Sequence, residues 1–271
     1  MIIKQAYAKI NTYLDVISKR DDGFHDILSV MRRVSLSDTV KLEALDSSVT
    51  NINLSVRGAD LPCDERNFAC RAAVRFLERF KLCSEINIEI EKNIPMAAGL
   101  AGGSADAAAV ISALAEHYGI SDMQALLDIA LEIGSDVPFC LVGGSMLCEG
   151  RGEKMTPVND KFMHLVIAIG NSRVNTAAAY GRLDELHSNF KLKKNTFLEN
   201  CENKLYNIFE ETADAETLAL KERMSALSDG GALMSGSGPS VFGIFDSEAS
   251  ALAARDLLIR EGYTAYYAHT L

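Results

Sequence analysis

The sequence predicts an α+β protein with two domains, and three observations support that prediction. Alternating apolar and polar residues at 86–90 indicate a strand, followed directly by a glycine-rich loop and an alanine-rich helix. The pattern restarts near residue 158. From there to the C-terminus, two extra helices aside, the predicted order is β-α-β-β-α-β, which is typical of ferredoxin-like domains. We therefore predict an N-terminal domain at 1–157 and a C-terminal domain at 158–271.

Composition limits the classes to which the protein can belong. The 271 residues are enough for a large core, and no uncharged apolar run approaches the ~18 residues that cross a bilayer. The N-terminus lacks the layout of a signal peptide, and the six cysteines form no C-x-x-C pair. A net charge of -10 disfavours nucleic acid as a partner. We expect a cytoplasmic enzyme with reduced thiols, without a membrane or nucleic-acid partner, as a monomer or weak homodimer.

The N-terminal half reads as strands followed by helices. The predicted strands are 2–17, 27–34, 39–45, 49–56, 86–90 and 140–149. The predicted helices are 64–82, 104–118 and one that opens with the capping box Ser121-Asp122-Met123-Gln124 and ends at Gly134. Residues 19–25 and 150–153 are predicted turns.

The C-terminal half mixes the two element types. The predicted strands are 162–169, 232–234, 241–245 and 263–269. The predicted helices are 175–186, 197–211, 215–228 and 247–261.

The loop between the strand at 86–90 and the helix at 104–118 carries the strongest chemical signal. Glycine lets a backbone fold closely around a ligand, and a helix start presents unpaired N–H groups with a partial positive charge. A strand, a glycine-rich loop and a helix start in this order favour a phosphate-binding site. The alternative is a loop that contains glycine only because it turns sharply.

Three further groups of residues are candidates for chemistry. Lys9 and Asn11 project from one face of the first strand, which indicates either a polar cavity or a solvent-facing pair. Asp136 lies in an apolar neighbourhood before Val-Pro, where a carboxylate has a partner or a task, or else caps a helix. Phe24 and His25 together could stack on a base and hydrogen-bond it, or could be a core anchor and an exposed bystander.

Together these stretches resemble the GHMP kinase superfamily. Ala8-Lys9-Ile10-Asn11 resembles its first motif, the loop its phosphate-binding motif, and Ser235-Gly236-Ser237-Gly238-Pro239 its third. The stretches 9–11, 20–25 and 134–139 resemble the branch that phosphorylates the 2-hydroxyl of 4-diphosphocytidyl-2-C-methyl-D-erythritol in the non-mevalonate isoprenoid pathway. The implied fold has an N-terminal ribosomal-protein-S5-domain-2-like ATP-binding domain and a C-terminal ferredoxin-like, substrate-binding domain.

The resemblance also implies roles for individual residues, with ATP and Mg²⁺ as cofactors. Lys9 and Asp136 become the catalytic pair, and Asp136 acts as base or positions charge. Asn11 orients the methylerythritol, while Phe24, His25, Thr176 and Tyr180 hold the cytidine. The ATP-binding set includes Asn67 and Lys92 near the adenosine, with Ser104 also meeting magnesium. Its phosphate loop consists of Pro95, Met96, Ala97, Ala98, Gly99, Leu100, Ala101, Gly102, Gly103, Ser104 and Ala105.

Two departures from the usual pattern and two alternatives remain. Ala101 replaces a glycine that is common in the loop, which we expect to be tolerated if its φ stays negative. Phe24 stands where tyrosine is more common, so stacking survives but a hydroxyl contact is lost. The alternatives are another small-molecule GHMP kinase, of the homoserine or mevalonate type, and a catalytically silent nucleotide-binding regulator. Retention of both Lys9 and Asp136 argues against a pure binder.

Overall fold

The computed structural model describes residues 1–187, 201 and 204–271. Contacts divide the described chain into two units, and neither is continuous in sequence. Unit 1 comprises Met1–Ala8, Ser37–Pro95 and Ala101–Gly143, and unit 2 comprises Lys9–Leu36, Met96–Leu100 and Gly144–Leu271. This division differs from the domain boundary after residue 157, which stays a prediction.

Unit 1 is a sheet with helices. Its strands are the first part of β1 (Ile2–Lys19), the second part of β2 (His25–Asp46), β3 (Asn51–Arg57) and β4 (Ser84–Glu91), in the order β3-β4-β2-β1. Strand β4 pairs antiparallel with β2 and parallel with β3, with Ile88 opposite both Leu42 and Leu54. Its helices are α1 (Phe68–Phe80), α2 (Gly102–Tyr118), α3 (Met123–Ile133) and α4 (Val137–Val142).

The core of unit 1 follows from these periodicities. Ile86, Ile88 and Ile90 on alternate positions of β4 are buried, as a strand of period 2 requires. Helix α1 buries the face that carries Phe76 and packs against α2. Helix α2 is buried along most of its length because it is rich in alanine. The core therefore lies between the isoleucine face of the sheet and the helices.

Unit 2 contains a second sheet with ferredoxin-like topology, as predicted. The elements are β7 (His164–Ile169), α5 (Thr176–Leu186), α6 (Ala215–Ser225), β9 (Ala232–Met234), β10 (Val241–Phe245), α7 (Glu248–Arg260) and β11 (Thr264–His269). The strand order is β11-β7-β10-β9, and all neighbours are antiparallel. Leu220, Met224 and Leu258 of α6 and α7 are buried in one core with Val166 and Phe245 of the sheet.

The rest of unit 2 is built on the long strands β1 and β2. Strand β5 (Ser145–Gly150) pairs with β2 and with β6 (Lys154–Pro157). A short strand, β8 (Tyr206–Asn207), pairs parallel with β1 and leads into a 3-10 helix (Ile208–Thr212).

Four predictions about these elements were wrong. The strands at 27–34 and 39–45 are one strand, because the alternation continues through Ser35 and Ser37 without a breaker. Residues 140–142 end helix α4, which begins at Val137 with Pro138 in its first turn. Two glycines of positive φ follow it, at 143 and 144. The cap of α3 is Asp122, whose Oδ1 accepts from Ala125 N at 3.1 Å, rather than Ser121.

The fourth wrong prediction is the helix at 197–211. Its described part forms β8 and the 3-10 helix, because the side chain of Asn207 accepts from Phe209 N and begins a tighter turn. Residues 197–200, 202 and 203 lie outside the described part of the chain.

Within the described ranges, no helix combines the length and apolar character that a bilayer span requires. All six cysteines are free thiols.

Candidate active site

The middle of the glycine-rich loop, residues 96–100, is held by the other two predicted motifs. Lys9 N donates to Leu100 O at 3.1 Å, and Ser235 Oγ donates to Gly99 O at 3.2 Å. Gly99 has φ +74, and a Cβ there would lie 2.2 Å from Ser235 O, so only glycine fits. Ser240 N also donates to Ala98 O, at 3.3 Å. The three motifs that lie far apart in sequence therefore meet in unit 2.

The end of the loop lies in unit 1, at the N-terminus of helix α2, where backbone N–H groups are available to an anion. Ala101 occupies the N-cap position, where an alanine provides no side-chain acceptor for the first N–H groups of the helix. The N–H groups of Gly102, Gly103 and Ser104 follow it at the positive end of a 17-residue helix. The side chain of Ser104 is part of this first turn, and the residue is 8% exposed. This geometry suits a phosphate group.

The condition under which Ala101 was expected to be tolerated, a negative φ, is not met. Its φ is +58, in the left-handed region, as is that of Ala97 at +52. An alanine in this region costs roughly 1–2 kcal/mol relative to a right-handed conformation. The loop therefore holds a backbone conformation that glycine would adopt at a lower free-energy cost.

Lys92, predicted to approach the adenosine, lies in a buried ion network of unit 1. Its side chain is 4% exposed, and Nζ donates to Asp38 and, at 2.7 Å, to Asp106 Oδ2. Asp38 Oδ1 in turn accepts from the backbone N–H groups of Asn93 and Ile94 at 2.6 and 2.7 Å. The network thereby joins β2, the residues before the loop and the first turns of α2.

Burial and charge act against each other in this network. Burial lowers the pKa of the Lys92 ammonium, but the two carboxylates outweigh it and hold that pKa above its usual value. Burial raises the pKa of Asp106 to about 7, although the neighbouring Lys92 opposes the shift. The pKa of the Asp106 carboxyl group therefore lies near neutral pH rather than in its usual acidic range.

Lys9 and Asn11, predicted to share one face of a strand, are in contact in unit 2. Lys9 Nζ donates to Asn11 Oδ1 at 2.7 Å, and Asn11 Nδ2 donates to Ser29 Oγ at 2.8 Å. Lys9 is 4% and Asn11 1% exposed, so the pair is buried among polar partners rather than facing solvent. The solvent-facing alternative for this pair is therefore wrong.

Asp136, the other predicted catalytic residue, belongs to unit 1. It occupies the N-cap position of α4, and its side chain makes no capping hydrogen bond there. It is half-buried between Gly134 and Pro138. Since Lys9 and Asp136 fall in different units, their pairing stays a prediction.

His25 and Tyr180 lie against each other in unit 2. Their rings stack with centroids 4.7 Å apart, and His25 Nε2 is 2.8 Å from Asp184 Oδ1. Asp184 also accepts from Lys19 Nζ at 2.6 Å. Burial works to raise the pKa of Asp184, but the hydrogen bonds from Lys19 and His25 prevail and hold it below its usual range. An ionised carboxylate thus orients the imidazole.

Phe24 is the exposed aromatic of this region. Its side chain is 45% exposed, and the guanidinium carbon of Arg151 lies 3.6 Å from its ring centroid. The ring therefore already stacks a flat cation, the kind of contact a pyrimidine would make. Thr176, exposed at the start of α5, has its hydroxyl 3.0 Å from that of Ser237 in the third motif.

Asn67, the remaining predicted ATP contact, caps helix α1. Its Oδ1 accepts from Ala69 N at 3.0 Å and its Nδ2 donates to Pro62 O at 3.0 Å. Both ends of the amide are therefore used in local structure, and the adenosine contact stays a prediction.

Sequence reasoning missed several residues that the structure places in this region. Asp184 follows Tyr180 by four positions on one helix face, and this spacing could have identified it. Asp106 is an acidic residue among the alanines of the first half of α2, which is also a usable signal. Asp38 and Ser29 lie in an ordinary strand, and nothing in the local pattern distinguishes them.

The chain is similar to known proteins along most of its length. The family model described as GHMP kinases N terminal domain matches residues 67–144, and that described as GHMP kinases C terminal matches residues 184–264. A 4-diphosphocytidyl-2-C-methyl-D-erythritol kinase from Caldicellulosiruptor saccharolyticus is 41% identical over 95% of this chain and 92% of its own length.

Solved structures give a consistent result. A crystal structure of 4-(cytidine 5'-diphospho)-2C-methyl-D-erythritol kinase superimposes with a TM-score of 0.81 at 30% identity, covering 99% of each chain. A crystal structure of mevalonate kinase superimposes with a TM-score of 0.70 over 100% of this chain and 99% of that chain, but at 11% identity it shows the fold alone.

Proposed function

The chain belongs to the GHMP kinase family, and on that premise we propose that it phosphorylates 4-diphosphocytidyl-2-C-methyl-D-erythritol. The enzyme transfers a phosphoryl group from ATP to the 2-hydroxyl and releases the 2-phosphate and ADP. This reaction belongs to the non-mevalonate route to isoprenoids. It is a phosphotransferase with an alcohol group as acceptor.

The observation that carries the proposal is the place of Lys9. The backbone N–H of this buried lysine donates to Leu100 O of the glycine-rich loop, while its ammonium donates to the buried amide of Asn11. A lysine beside a phosphate loop suits a reaction in which negative charge moves between oxygens.

Lys9 and Asp136 form the proposed catalytic pair. Lys9 stabilises the charge that develops during transfer, and Asp136 accepts the proton of the 2-hydroxyl or positions its charge against it. Asn11 orients the methylerythritol. Phosphoryl transfer requires little covalent chemistry from the protein, so these roles consist of positioning and electrostatics.

The donor occupies the glycine-rich loop in this proposal. Backbone N–H groups from Gly99 to Ser104 hold the phosphates of ATP at the start of α2. Asn67 and Lys92 support the adenosine side of the site, through the cap of α1 and the network around Asp106.

Magnesium is part of the same proposal. Mg²⁺ keeps several waters and takes few protein oxygens besides the phosphates, and the Ser104 hydroxyl in the first turn of α2 would be one of them. Among the described residues no group of three or more acidic, histidine or cysteine side chains could hold the ion. When bound, Mg²⁺ neutralises phosphate charge; Ser104 would hold it.

The acceptor's cytidine occupies the aromatic region of unit 2. Phe24 stacks on the cytosine, which contributes about 1–3 kcal/mol per base, and Tyr180 provides the second aromatic ring. His25 hydrogen-bonds the base from an orientation that Asp184 holds, and Thr176 adds a polar contact.

Three further properties are part of the proposal. We assign ATP binding and catalysis mainly to 1–157 and the substrate to 158–271. We place the enzyme in the cytoplasm as a monomer or weak homodimer, without nucleic acid. Size-exclusion chromatography with light scattering tests the last point, and a stable tetramer would contradict it.

The decisive experiment combines the purified protein, ATP, Mg²⁺ and the cytidyl substrate, with the product followed by phosphorus NMR. A new phosphomonoester signal and stoichiometric ADP are expected. Turnover of homoserine or mevalonate without turnover of the cytidyl substrate would favour the other GHMP kinases. Nucleotide binding without any turnover would favour a silent regulator.

Two variants locate the chemistry in the same assay. Asp136→Asn should abolish turnover while ATP still binds, because the substitution removes the charge and proton acceptor. His25→Ala should raise KM for the cytidyl substrate and leave KM for ATP unchanged. Near wild-type turnover of the first, or equal weakening of both substrates in the second, would refute the assigned role.

A further inference from the structure

A directional chain of hydrogen bonds leads from Lys9 into the core of unit 2. After Lys9 Nζ donates to Asn11 Oδ1 and Asn11 Nδ2 donates to Ser29 Oγ, the Ser29 hydroxyl donates to the backbone oxygen of Tyr13 at 2.7 Å. Ser29 and Tyr13 are both 0% exposed. This chain of hydrogen bonds joins β1 to β2 and ends on a backbone carbonyl oxygen, that of Tyr13.

The chemistry of its last member sets the direction of the whole chain. A backbone carbonyl only accepts, so the single proton of Ser29 must point at Tyr13 O. Toward Asn11 the hydroxyl can then only accept, and therefore the amide must present its NH₂ to Ser29. The amide oxygen consequently faces Lys9.

This orientation matters because an asparagine amide can be turned around at little steric cost. A turned Asn11 would present NH₂ to the Lys9 ammonium, and two donors repel each other. The ammonium carries only donors, so no rotation of it could make a hydrogen bond from the Asn11 NH₂ group. The Lys9 ammonium at one end and the Ser29 hydroxyl at the other therefore both oppose the turned state, because the turned amide would present a donor to Lys9 and an acceptor to a hydroxyl whose proton points at Tyr13 O.

We propose that Ser29 is a positioning residue of the kinase reaction, which sets the direction of the Asn11 amide and thereby holds the Lys9 ammonium in place. The inference rests on the proposed function, in which Lys9 acts on the transferred phosphoryl group. Ser29 itself touches neither substrate. Its effect on the reaction passes through Asn11.

Ser29→Ala tests the proposal, and Ser84→Ala is its matched control. Ser84 is also buried, at 2% exposure, and its hydroxyl donates to Leu45 O at 2.7 Å in unit 1. Each substitution removes one buried serine–carbonyl hydrogen bond, but Ser84 belongs to unit 1 and not to the Lys9 chain.

With the cytidyl substrate and ATP, Ser29→Ala should lower kcat roughly 10- to 100-fold with KM for ATP changed less than about threefold, because misplacement of a catalytic group acts on the transfer step. Ser84→Ala should keep kcat within about twofold of wild type. A Ser29→Ala enzyme with kcat within twofold of wild type, or an equal loss in both variants, overturns the proposal.

Asn11→Asp provides a second test, since a carboxylate accepts through both oxygens and has no wrong orientation. In the Asn11→Asp background, Ser29→Ala should change kcat less than about twofold. The same 10- to 100-fold loss there shows that Ser29 acts by another route. If Asn11→Asp has no measurable turnover, the comparison of Ser29→Ala with Ser84→Ala decides.

Failure of the proposed function is distinguishable from failure of this inference. A wild-type protein that leaves the cytidyl substrate unphosphorylated refutes the function. A wild-type protein that turns it over, with an unimpaired Ser29→Ala variant, refutes only the role of Ser29.

Discussion

Two lysines of this protein have buried side chains and lie in different surroundings. Lys9 in unit 2 is buried as a whole residue, and the side chain of Lys92 in unit 1 is 4% exposed. Lys9 donates to the neutral amide of Asn11, whereas Lys92 donates to the carboxylates of Asp38 and Asp106. An amide orients an ammonium without cancelling its charge, while two carboxylates compensate it fully.

The two sets of bonds hold different parts of the fold. Around Lys92 the charges close a network that holds the residues before the loop to the first turns of α2. Around Lys9 a chain of neutral hydrogen bonds leads from the ammonium into the core. Burial alone therefore says little about the surroundings of a lysine side chain.

The largest expected effect is that of Lys9→Met on catalysis. Loss of the cation should lower kcat roughly 1,000-fold, the scale seen when a group that stabilises transition-state charge is removed. The Asn11 amide also loses its hydrogen bond from the ammonium, which should lower the free energy of unfolding by about 1.5–3 kcal/mol. ADP release and urea unfolding measure the two quantities. Retention of more than a tenth of kcat would contradict the role of Lys9.

Lys92→Met should show the opposite profile. It leaves two buried carboxylates without their cation, which typically costs 3–5 kcal/mol of unfolding free energy. Below its melting temperature, kcat should remain within about threefold of wild type.

The control for Lys92→Met is Lys41→Met, which breaks a partly exposed pair with Glu89, where the side chains are 35% and 29% exposed. Such pairs contribute about 0–1 kcal/mol. Equal destabilisation by both variants would refute the network. A stable Lys92→Met with a raised KM for ATP would instead favour contact with the adenosine.

The smallest effect is the pH dependence that Asp106 contributes. Its pKa, about 7 in the folded protein, exceeds the ordinary 3.8, so folding is favoured by its proton. This contribution is fully present below pH 4 and is lost as the pH rises through 7. Relative to Asp106→Asn, wild type should therefore lose on the order of 2–4 kcal/mol of unfolding free energy between pH 4 and 8. Parallel pH profiles for the two proteins would exclude an elevated pKa.

Much of the fold was predictable because it depends on local periodicity. The strands β9 and β10 begin and end at the predicted residues, and the order of the C-terminal elements indicated the ferredoxin-like topology that the sheet confirms. Errors arose where local signals were ambiguous. The apolar run at 140–142 fits a buried strand as well as it fits the short helix α4, which carries Pro138 in its first turn.

The candidate site divides in the same way. Lys9 and Asn11 are two positions apart on a strand, so their contact could be inferred from spacing alone. The stacking of His25 on Tyr180 joins residues far apart in sequence, and only the resemblance to a family suggested that they act together. The left-handed φ of Ala101 could not be inferred, because alanine rarely adopts it.

The sequence by itself determined the elements, the motifs and the family, since helical and strand periodicity and the glycine-rich loop are local properties of the chain. Only the tertiary structure decided the partners of the buried polar groups. Lys92 and Asp38 are 54 positions apart, and Asn11 and Ser29 are 18 apart on different strands. Whether a buried lysine meets a carboxylate or an amide depends on which strands and helices pack together, and no local pattern records that choice.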